Sequence, residues 1–233
     1  NPLLQPERST NSNAGVIWSF SKQGSVGVDV FSIEQQDIIA GDSAQYVVDH
    51  PELYADRILR DAQGRLQILK NQYTNQGSRD TRGVDIDFNY RFELSNGHSL
   101  SLKTVWSHLL DYKQALVAGQ PVLEGAGNNQ FGALPAWKNN NSLIWQHSDW
   151  QASLTAAFSS GYQQKVATTA SNPGLLSDIN SFTQWDSQLS YRGIANTQIS
   201  FAMQNLLDRD PPFDPSAGSD YTDTTQHNLR GRQ

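Results

Sequence analysis

The segment from Arg82 to Phe92 alternates strictly between apolar and polar residues. Successive side chains of a strand point to opposite faces, so this period of two predicts a β-strand with one apolar and one polar surface. Ser95-Asn96-Gly97 follows, a sequence type that supplies the positive φ of a tight hairpin turn. The apolar series is Val84, Ile86, Phe88, Tyr90 and Phe92, and the polar series is Gly83, Asp85, Asp87, Asn89 and Arg91.

The same hairpin pattern recurs along the chain and predicts about eight strands. Short turns are expected near Gln23, Asn96, Asp149 and Gly193. Most strands approach the roughly 9–11 residues that a tilted strand needs to cross a bilayer. Between the hairpins lie long connections rich in Gly, Asn, Asp, Gln and Pro, at 38–78, 113–135, 163–180 and 208–226.

Short and long connections therefore alternate, which places all short turns at one end of the sheet and all long loops at the other. This sorting is typical of outer-membrane barrels, which have short periplasmic turns and long extracellular loops. The six tryptophans fall on or near the ends of predicted strands. Aromatic residues favour strands in any case, but two aromatic bands are also expected where a barrel meets the membrane interfaces.

The composition narrows the class of protein further. The 233 residues carry a formal net charge of −6 and include no cysteine, which excludes disulfides and thiolate zinc sites. The mean hydropathy of −0.57 is too low for helical membrane spans, but barrel strands are apolar only at alternate positions. The acidic balance argues against a nucleic-acid partner, because such proteins usually present a basic face.

Four segments, in order along the chain, resemble motifs of the TonB-dependent outer-membrane receptor family. They are Asn1 to Ser9 (NPLLQPERS), Asn75-Gln76-Gly77 followed by Arg82 to Asp85, Asn205 to Pro212 (NLLDRDPP), and His227 to Arg232 (HNLRGR). The resemblance implies an all-β fold, an antiparallel transmembrane β-barrel segment with about eight to nine strands of a 22-stranded barrel. Residues 1–233 are expected to be the C-terminal part of that barrel, with the plug domain and TonB box outside this chain.

By the same resemblance, the expected function is TonB-dependent uptake of a scarce nutrient across the bacterial outer membrane. The nutrient could be a siderophore, a vitamin or an oligosaccharide. The expected partners are outer-membrane lipid, the nutrient, and TonB acting through the plug; no cofactor is implied. Two alternatives remain open at this stage: a small closed outer-membrane barrel such as a porin or adhesin, and a soluble all-β carbohydrate-binding module.

The sequence offers no catalytic or metal-binding constellation, so the chain is not expected to be an enzyme. Asp85 and Asp87 share one side of a strand, but i, i+2 spacing does not build the cleft that a glycosidase carboxylate pair needs. The acidic residues between 208 and 220 do not match the spacing of an EF-hand calcium loop. The five histidines are scattered without metal-ligand spacing.

The loops at 113–135 and 163–180 are predicted to help bind the ligand, together with polar residues just beneath them. Carboxylates and amides there would suit hydroxyl-rich or cationic groups, and aromatic rings would add stacking surface. We expect deletion of 116–132 to impair uptake. The candidate ligand-binding residues are Asp85, Asp111, Gln184 and Asp186 near the long-loop rim, Gln163 at a loop base, and Phe131 and Tyr162 for stacking.

Overall fold

The computed structural model describes residues 4–41, 44–70, 72–115, 121–165, 178–217 and 221–233. Within these ranges, no helix is both long and apolar enough to cross a membrane. One short α-helix, α1 (Ala44–Asp49), and 3-10 turns at Ala55–Arg57 and Ser95–Gly97 accompany the strands. The strands are β1 (Arg8–Trp18), β2 (Gly24–Gly41), β3 (Ile58–Arg60), β4 (Leu66–Leu69), β5 (Tyr73–Glu93), β6 (His98–Ala115), β7 (Leu123–Glu124), β8 (Trp137–His147), β9 (Trp150–Ser159), β10 (Tyr162–Gln163), β11 (Asp178–Ile179), β12 (Phe182–Ile194) and β13 (Thr197–Met203).

One sheet contains nine of these strands and confirms the predicted all-β fold. Eight follow the order β1-β2-β5-β6-β8-β9-β12-β13, and β7 pairs with β6. Each recorded pairing from β6 to β13 along this order is antiparallel. Two further hairpins, β3–β4 and β10–β11, lie outside the sheet. The long connections thus contain secondary structure of their own.

The chain divides into two compact units, and strands β1, β2, β5, β6 and β7 contribute residues to both. The first unit comprises the described residues of Asn1–Asn11, Ile33–Asp80 and Lys113–Leu123. Within it, Asn75 Nδ2 donates to the carbonyls of Gln5 and Asp37, both at 2.7 Å. Arg65 closes the β3–β4 turn by donating to Asp61 Oδ2 at 2.7 Å, and its backbone N–H also lowers the pKa of this carboxyl.

The second unit comprises Ser12–Ser32, Thr81–Tyr112 and Glu124–Gln233 where the chain is described, and its short turns lie where the sequence predicts them. Asn96, Ser148 and Asn196 have φ of 59°, 49° and 58°. These are left-handed conformations, which asparagine tolerates better than most residues because its short polar side chain can bond locally. The Asn96-Gly97 pair adopts positive φ at both positions, as its sequence predicts.

Side chains in this unit sort onto two faces, which we call the polar face and the apolar face. Across the polar face, Asn89 Nδ2 donates to Ser25 Oγ at 2.7 Å, and a Cβ added at Gly27 would stand 2.0 Å from the Asp87 carboxylate. On the apolar face, Phe20 stacks on Tyr90 with ring centroids 5.9 Å apart. The register carries both faces onward: one polar row is Ser99, Gln146, Gln151, Ser190 and Ser200, and one apolar row is Leu102, Leu143 and Leu154.

A polar cluster interrupts the apolar face between β6 and β8. Asn139 Nδ2 donates to Thr104 Oγ1 at 3.1 Å and to the Val105 carbonyl at 3.0 Å, while Asn141 Nδ2 donates to Asn139 Oδ1. Mutual hydrogen bonds reduce the cost of removing these groups from water. The cluster also explains why alternation did not reveal the first half of β8: its asparagines occupy positions where apolar residues would be expected.

Aromatic side chains collect toward both ends of the strands, as the sequence predicts. Trp150 and Tyr191 lie beside short turns with ring centroids 4.5 Å apart. Toward the other end, Trp137 stacks on His108 at 3.7 Å. Eight residues separate Trp137 from Trp145 on the same strand, or about 26 Å at the usual strand rise. This spacing is comparable to the apolar band of an outer-membrane barrel, about 25 Å tall.

The sidedness of the sheet can be tested with single cysteines, because the chain has none of its own. Spin labels at Ile86→Cys and Asp87→Cys are expected to respond oppositely, with residue 86 facing lipid and residue 87 facing the aqueous lumen. The physical reason is the cost of charge at the membrane midplane, about 2–4 kcal/mol for a lipid-facing Arg or Lys. The measurement is collision with oxygen and with a water-soluble nickel chelate, and matching responses at both positions would contradict the assignment.

Candidate ligand-binding site

Several long connections of the second unit pack together into what we call the loop cluster, residues 124–136, 160–165, 178–181, 205–217 and 221–230. Its apolar centre is small: Ala133, Tyr162 and Ile179 are 5%, 5% and 3% exposed. So little apolar burial, at roughly 25 cal/mol per Å², gives a limited hydrophobic contribution. Hydrogen bonds between the segments of the loop cluster therefore contribute much of what holds these segments in place.

Asn129, a buried residue, joins three segments of the loop cluster. Its Nδ2 donates to Ser216 Oγ at 3.0 Å, and its Oδ1 accepts from the Lys165 backbone N–H at 2.6 Å. Its own backbone N–H donates to the Gln163 carbonyl at 3.1 Å. Buried polar groups are stable only when paired, so the segments that pair with Asn129 hold one another in place.

A second link joins Tyr162 to Asp214, whose side chain is almost fully buried at 2% exposure. The Tyr162 hydroxyl donates to Asp214 Oδ2, and Asp214 Oδ1 accepts from the Ser216 backbone N–H at 2.8 Å. Burial, followed by the hydrogen bond to Asp214, raises the pKa of Tyr162 well above its ordinary value. A raised tyrosine pKa contributes stability that is present below the ordinary pKa and is lost as the pH rises above it.

Asn205 marks the end of β13 and fixes the start of the last long connection. It adopts a left-handed φ of 50°, and its side chain both accepts from the Arg209 N–H and donates to the Arg209 carbonyl. Its backbone N–H donates to Asp186 Oδ1 at 2.8 Å, which also accepts from Gln184 Nε2 at 2.9 Å. A strand residue on β12 thus anchors the loop that follows β13.

Two cavities lie on the polar face beneath the loop cluster, and they share Ser107, Lys138 and Gln226. The first, about 340 Å³, has Lys138 and Gln184 on its wall and His227 over it; it is lined by Val105, Ser107, Lys138, Asn139, Asn140, Ala157, Phe158, Ser159, Phe182, Gln184, Gln226, His227 and Asn228. The second, about 250 Å³, brings Asp85 and Phe31 together with Lys138 and the segment 133–136. These cavities form the candidate site.

His227 is held over the first cavity by its contact with Phe182. The two rings meet edge to face, with centroids 5.0 Å apart and planes 71° apart. Arg209 also approaches the Phe182 ring, 5.8 Å from its centroid. Burial lowers the pKa of His227; the charge of Asp223 opposes this shift and the charge of Lys138 reinforces it. Since burial disfavours the charged form, the neutral imidazole is favoured here.

The structure brings two predicted site residues to the cavities and engages others elsewhere. Asp85 lines the second cavity and Gln184 the first. Asp111 pairs with Arg82 at 2.7 Å, and Asp186 accepts the backbone of Asn205 as described. Both carboxylates are therefore engaged within the protein, Asp111 by Arg82 and Asp186 by Asn205, and these contacts give them a structural role.

The remaining three predicted residues belong to the loop cluster. Gln163 exposes its side chain while its backbone N–H donates to the Gly127 carbonyl at 2.9 Å. Phe131 is partly exposed and lies 5.7 Å from the Tyr112 ring. The expectation that Tyr162 offers stacking surface is wrong, because its ring is buried in the core of the loop cluster. Residues 116–120 and 166–177 of the predicted binding loops lie outside the described residues.

Sequence reasoning missed Lys138 and His227, the two titratable side chains that line the first cavity. Had alternation been extended upstream from Ile144 through Ser142 and Asn140, it would have put Lys138 on the polar face. No comparable signal exists for His227, because its position depends on a loop folding back over the sheet. In the part of the chain that the structure describes, no group of three or more His, Cys, Asp or Glu side chains could hold a metal ion.

Comparison with known proteins decides the family. The family profile described as "TonB dependent receptor-like, beta-barrel" matches residues 1–206. This chain belongs to that family. The match confirms the fold class and the family resemblance noted in the sequence. Members of this family are proteins of the bacterial outer membrane, and they are receptors and transporters, not enzymes.

Solved structures show the same fold at low sequence identity. A ferric enterobactin receptor (PfeA) mutant from Pseudomonas aeruginosa is 16% identical with a TM-score of 0.66, covering 100% of this receptor chain and 31% of that one. The outer membrane transporter YddB from Escherichia coli is 13% identical with a TM-score of 0.65, covering 100% and 32%. The FrpB iron transporter from Neisseria meningitidis is 11% identical with a TM-score of 0.58, covering 90% and 28%. No curated protein sequence matches the chain.

The chain spans about a third of the length of the first two solved structures, each of which matches it over its whole length. Its membership of the family rests on residues 1–206, most of the chain.

The role of Asn129 as the node of the loop cluster predicts a specific local effect. Asn129→Ala should speed hydrogen exchange of the Lys165 amide by about tenfold or more, because this amide donates to Asn129 Oδ1 and losing one buried hydrogen bond costs about 1–3 kcal/mol. The matched control is Gln130→Ala, since the neighbouring side chain makes no hydrogen bond recorded within the described residues. Equal exchange in both variants would show that Asn129 does not hold the segments together.

Proposed function

We propose that this chain forms part of a TonB-dependent receptor that imports a scarce nutrient, with its polar face lining the passage and its loop cluster helping to capture the ligand. The observation that carries this proposal is the pair of cavities that the loop cluster encloses against the polar face. Loops that only shielded the rim would have no need to enclose space lined by Asp85, Lys138 and Gln184. Concave sites with a few convergent polar groups are the usual form of small-molecule sites.

The chemistry of the cavities suits a ligand with both apolar and charged parts. Phe182 contributes apolar surface to the first cavity, and amides from Gln184 and Gln226 offer donors and acceptors. Lys138 supplies a positive charge to both cavities, whereas Asp85 supplies a negative one to the second. Iron–siderophore complexes fit this description, and the names of the structural neighbours, a ferric enterobactin receptor and an iron transporter, support that class over vitamins and oligosaccharides.

The apolar face would contact outer-membrane lipid in this proposal. Leu143, Leu189 and Phe201 are 41%, 43% and 65% exposed, and they lie on the same face through the recorded register. Monomeric soluble proteins rarely expose contiguous apolar patches larger than a few hundred Å². Energy for transport would come from TonB acting through a plug domain that is not among residues 1–233.

Two observations weigh against the alternative functions. A small closed barrel would require β1 to pair with β13, but the two strands stand at opposite ends of the recorded strand order. A soluble carbohydrate-binding module would bury its apolar faces in a dry core, whereas the described apolar face is uncovered. Neither alternative gains support from the comparisons.

The proposal predicts that Lys138→Gln in the full receptor weakens binding of the transported ligand by about tenfold. This corresponds to loss of one charge-assisted contact, about 1.4 kcal/mol. The transported ligand is first identified by TonB-dependent accumulation from a panel of ferric siderophores, cobalamin and oligosaccharides. Lys22→Gln, beside a short turn at the opposite end of the strands, is the matched control.

Unchanged affinity and uptake in Lys138→Gln, at normal surface expression, would remove these cavities from the mechanism. The point substitution tests the cavities more specifically than deletion of 116–132 does. That deletion would also remove Asn129, so a loss of uptake could reflect collapse of the whole loop cluster.

A further inference from the structure

The first cavity has an unusual arrangement of charge around a single imidazole. His227 and its neighbours Gln226 and Asn228 cover a cavity whose wall is built by β6, β8, β9 and β12. The imidazole packs edge to face with the Phe182 ring, which helps to hold it over the cavity. Lys138 lines the same cavity from β8 and has no ion-pair partner among the described residues.

Two charges, those of Asp223 and Lys138, act directly on His227, and others lie nearby on neighbouring elements. Lys138 contributes a positive charge from β8, and Arg209 a second one from the segment after β13, above the Phe182 ring. Asp223, in the loop of His227 itself, contributes a negative charge. Asp85 lies in the adjoining cavity, which shares Lys138. An anion placed in the first cavity would thus meet Lys138 and, once protonated, His227.

We propose that the first cavity is a subsite for an anionic group, and that binding of the anion there is coupled to the uptake of one proton by His227. The inference rests on the proposed function, because it specifies the chemistry of the same site. The Phe182 ring lies on the polar face beside Lys138 and His227, so the subsite suits an anion attached to an apolar or aromatic group.

The coupling follows from the environment of the imidazole in two states. Without an anion, burial and the charge of Lys138 lower the pKa of His227, so it stays neutral at neutral pH. A bound anion offsets Lys138 and attracts a positive charge, which raises the pKa in the complex. Affinity must therefore increase as the pH falls through the interval between the two pKa values, by at most about tenfold per pH unit for one proton.

The test uses the full receptor in detergent and two isosteric probes, benzenesulfonate and benzenesulfonamide. The first remains anionic and the second neutral between about pH 5.5 and 7.5, so any pH dependence belongs to the protein. Calorimetry in buffers of different ionisation enthalpy measures both the Kd and the number of protons taken up. Variants His227→Gln and Lys138→Gln are compared with His98→Gln, a matched histidine variant beside a short turn.

We expect benzenesulfonate to bind more tightly at the lower pH, by several-fold or more, with uptake of up to one proton, and benzenesulfonamide to bind weakly without uptake. His227→Gln should bind benzenesulfonate with no proton uptake and a flat pH profile, while His98→Gln behaves like the parent. Lys138→Gln should bind more weakly at every pH and move the proton uptake to higher pH, because the opposing charge is gone.

Three results would overturn the proposal: equal affinity for the two probes, absence of benzenesulfonate binding throughout the pH range, or proton uptake that persists in His227→Gln. None of them bears on nutrient import itself, which accumulation of the transported ligand measures separately. Loss of import with intact proton-coupled binding would instead contradict the proposed function and leave the subsite standing.

Discussion

The whole structure depends on the need to pair backbone N–H and C=O groups in a sheet whose one face leaves apolar side chains exposed. An antiparallel ladder meets this need between neighbouring strands, since unpaired groups cannot be satisfied by lipid. The ladder imposes a side-chain period of two, which separates the apolar face from the polar face. Even the exception obeys the same constraint: Asn139 and Asn141 are tolerated on the apolar face because they bond to each other and to Thr104.

At the end of the sheet opposite the short turns, hydrogen bonds matter more for stability than apolar burial does. The loop cluster has a small apolar core, so its organisation relies on buried polar links such as Asn129 and the Tyr162–Asp214 pair. Such networks specify a unique arrangement when all members are satisfied. The cavities exist because those links hold the loops against the polar face, where they meet Lys138. The way the loops fold back over the sheet thus decides which charged side chains line the cavities.

Features that depend on local sequence could be predicted, whereas features that depend on contacts between distant segments could not. Alternation and turn chemistry revealed the strand containing Val84 and the turn at Asn96, because both signals are local. The sequence predicts a connection where the outer half of β5 begins at Tyr73. This half has no alternation of apolar residues, so only its backbone pairing identifies it as a strand. Asp85 and Gln184 were predicted near the site from strand direction alone. The contribution of His227 escaped prediction because it arises only when a distant loop folds back over the sheet.

The central claim is that the apolar face is built for lipid and not for a protein core. It is tested most directly by expressing residues 1–233 alone and measuring their solution state with and without detergent. An open sheet with apolar side chains exposed, and with β1 and β13 at the two ends of its strand order, should aggregate in buffer and disperse only in detergent. A detergent-free soluble monomer that melts cooperatively would contradict the account.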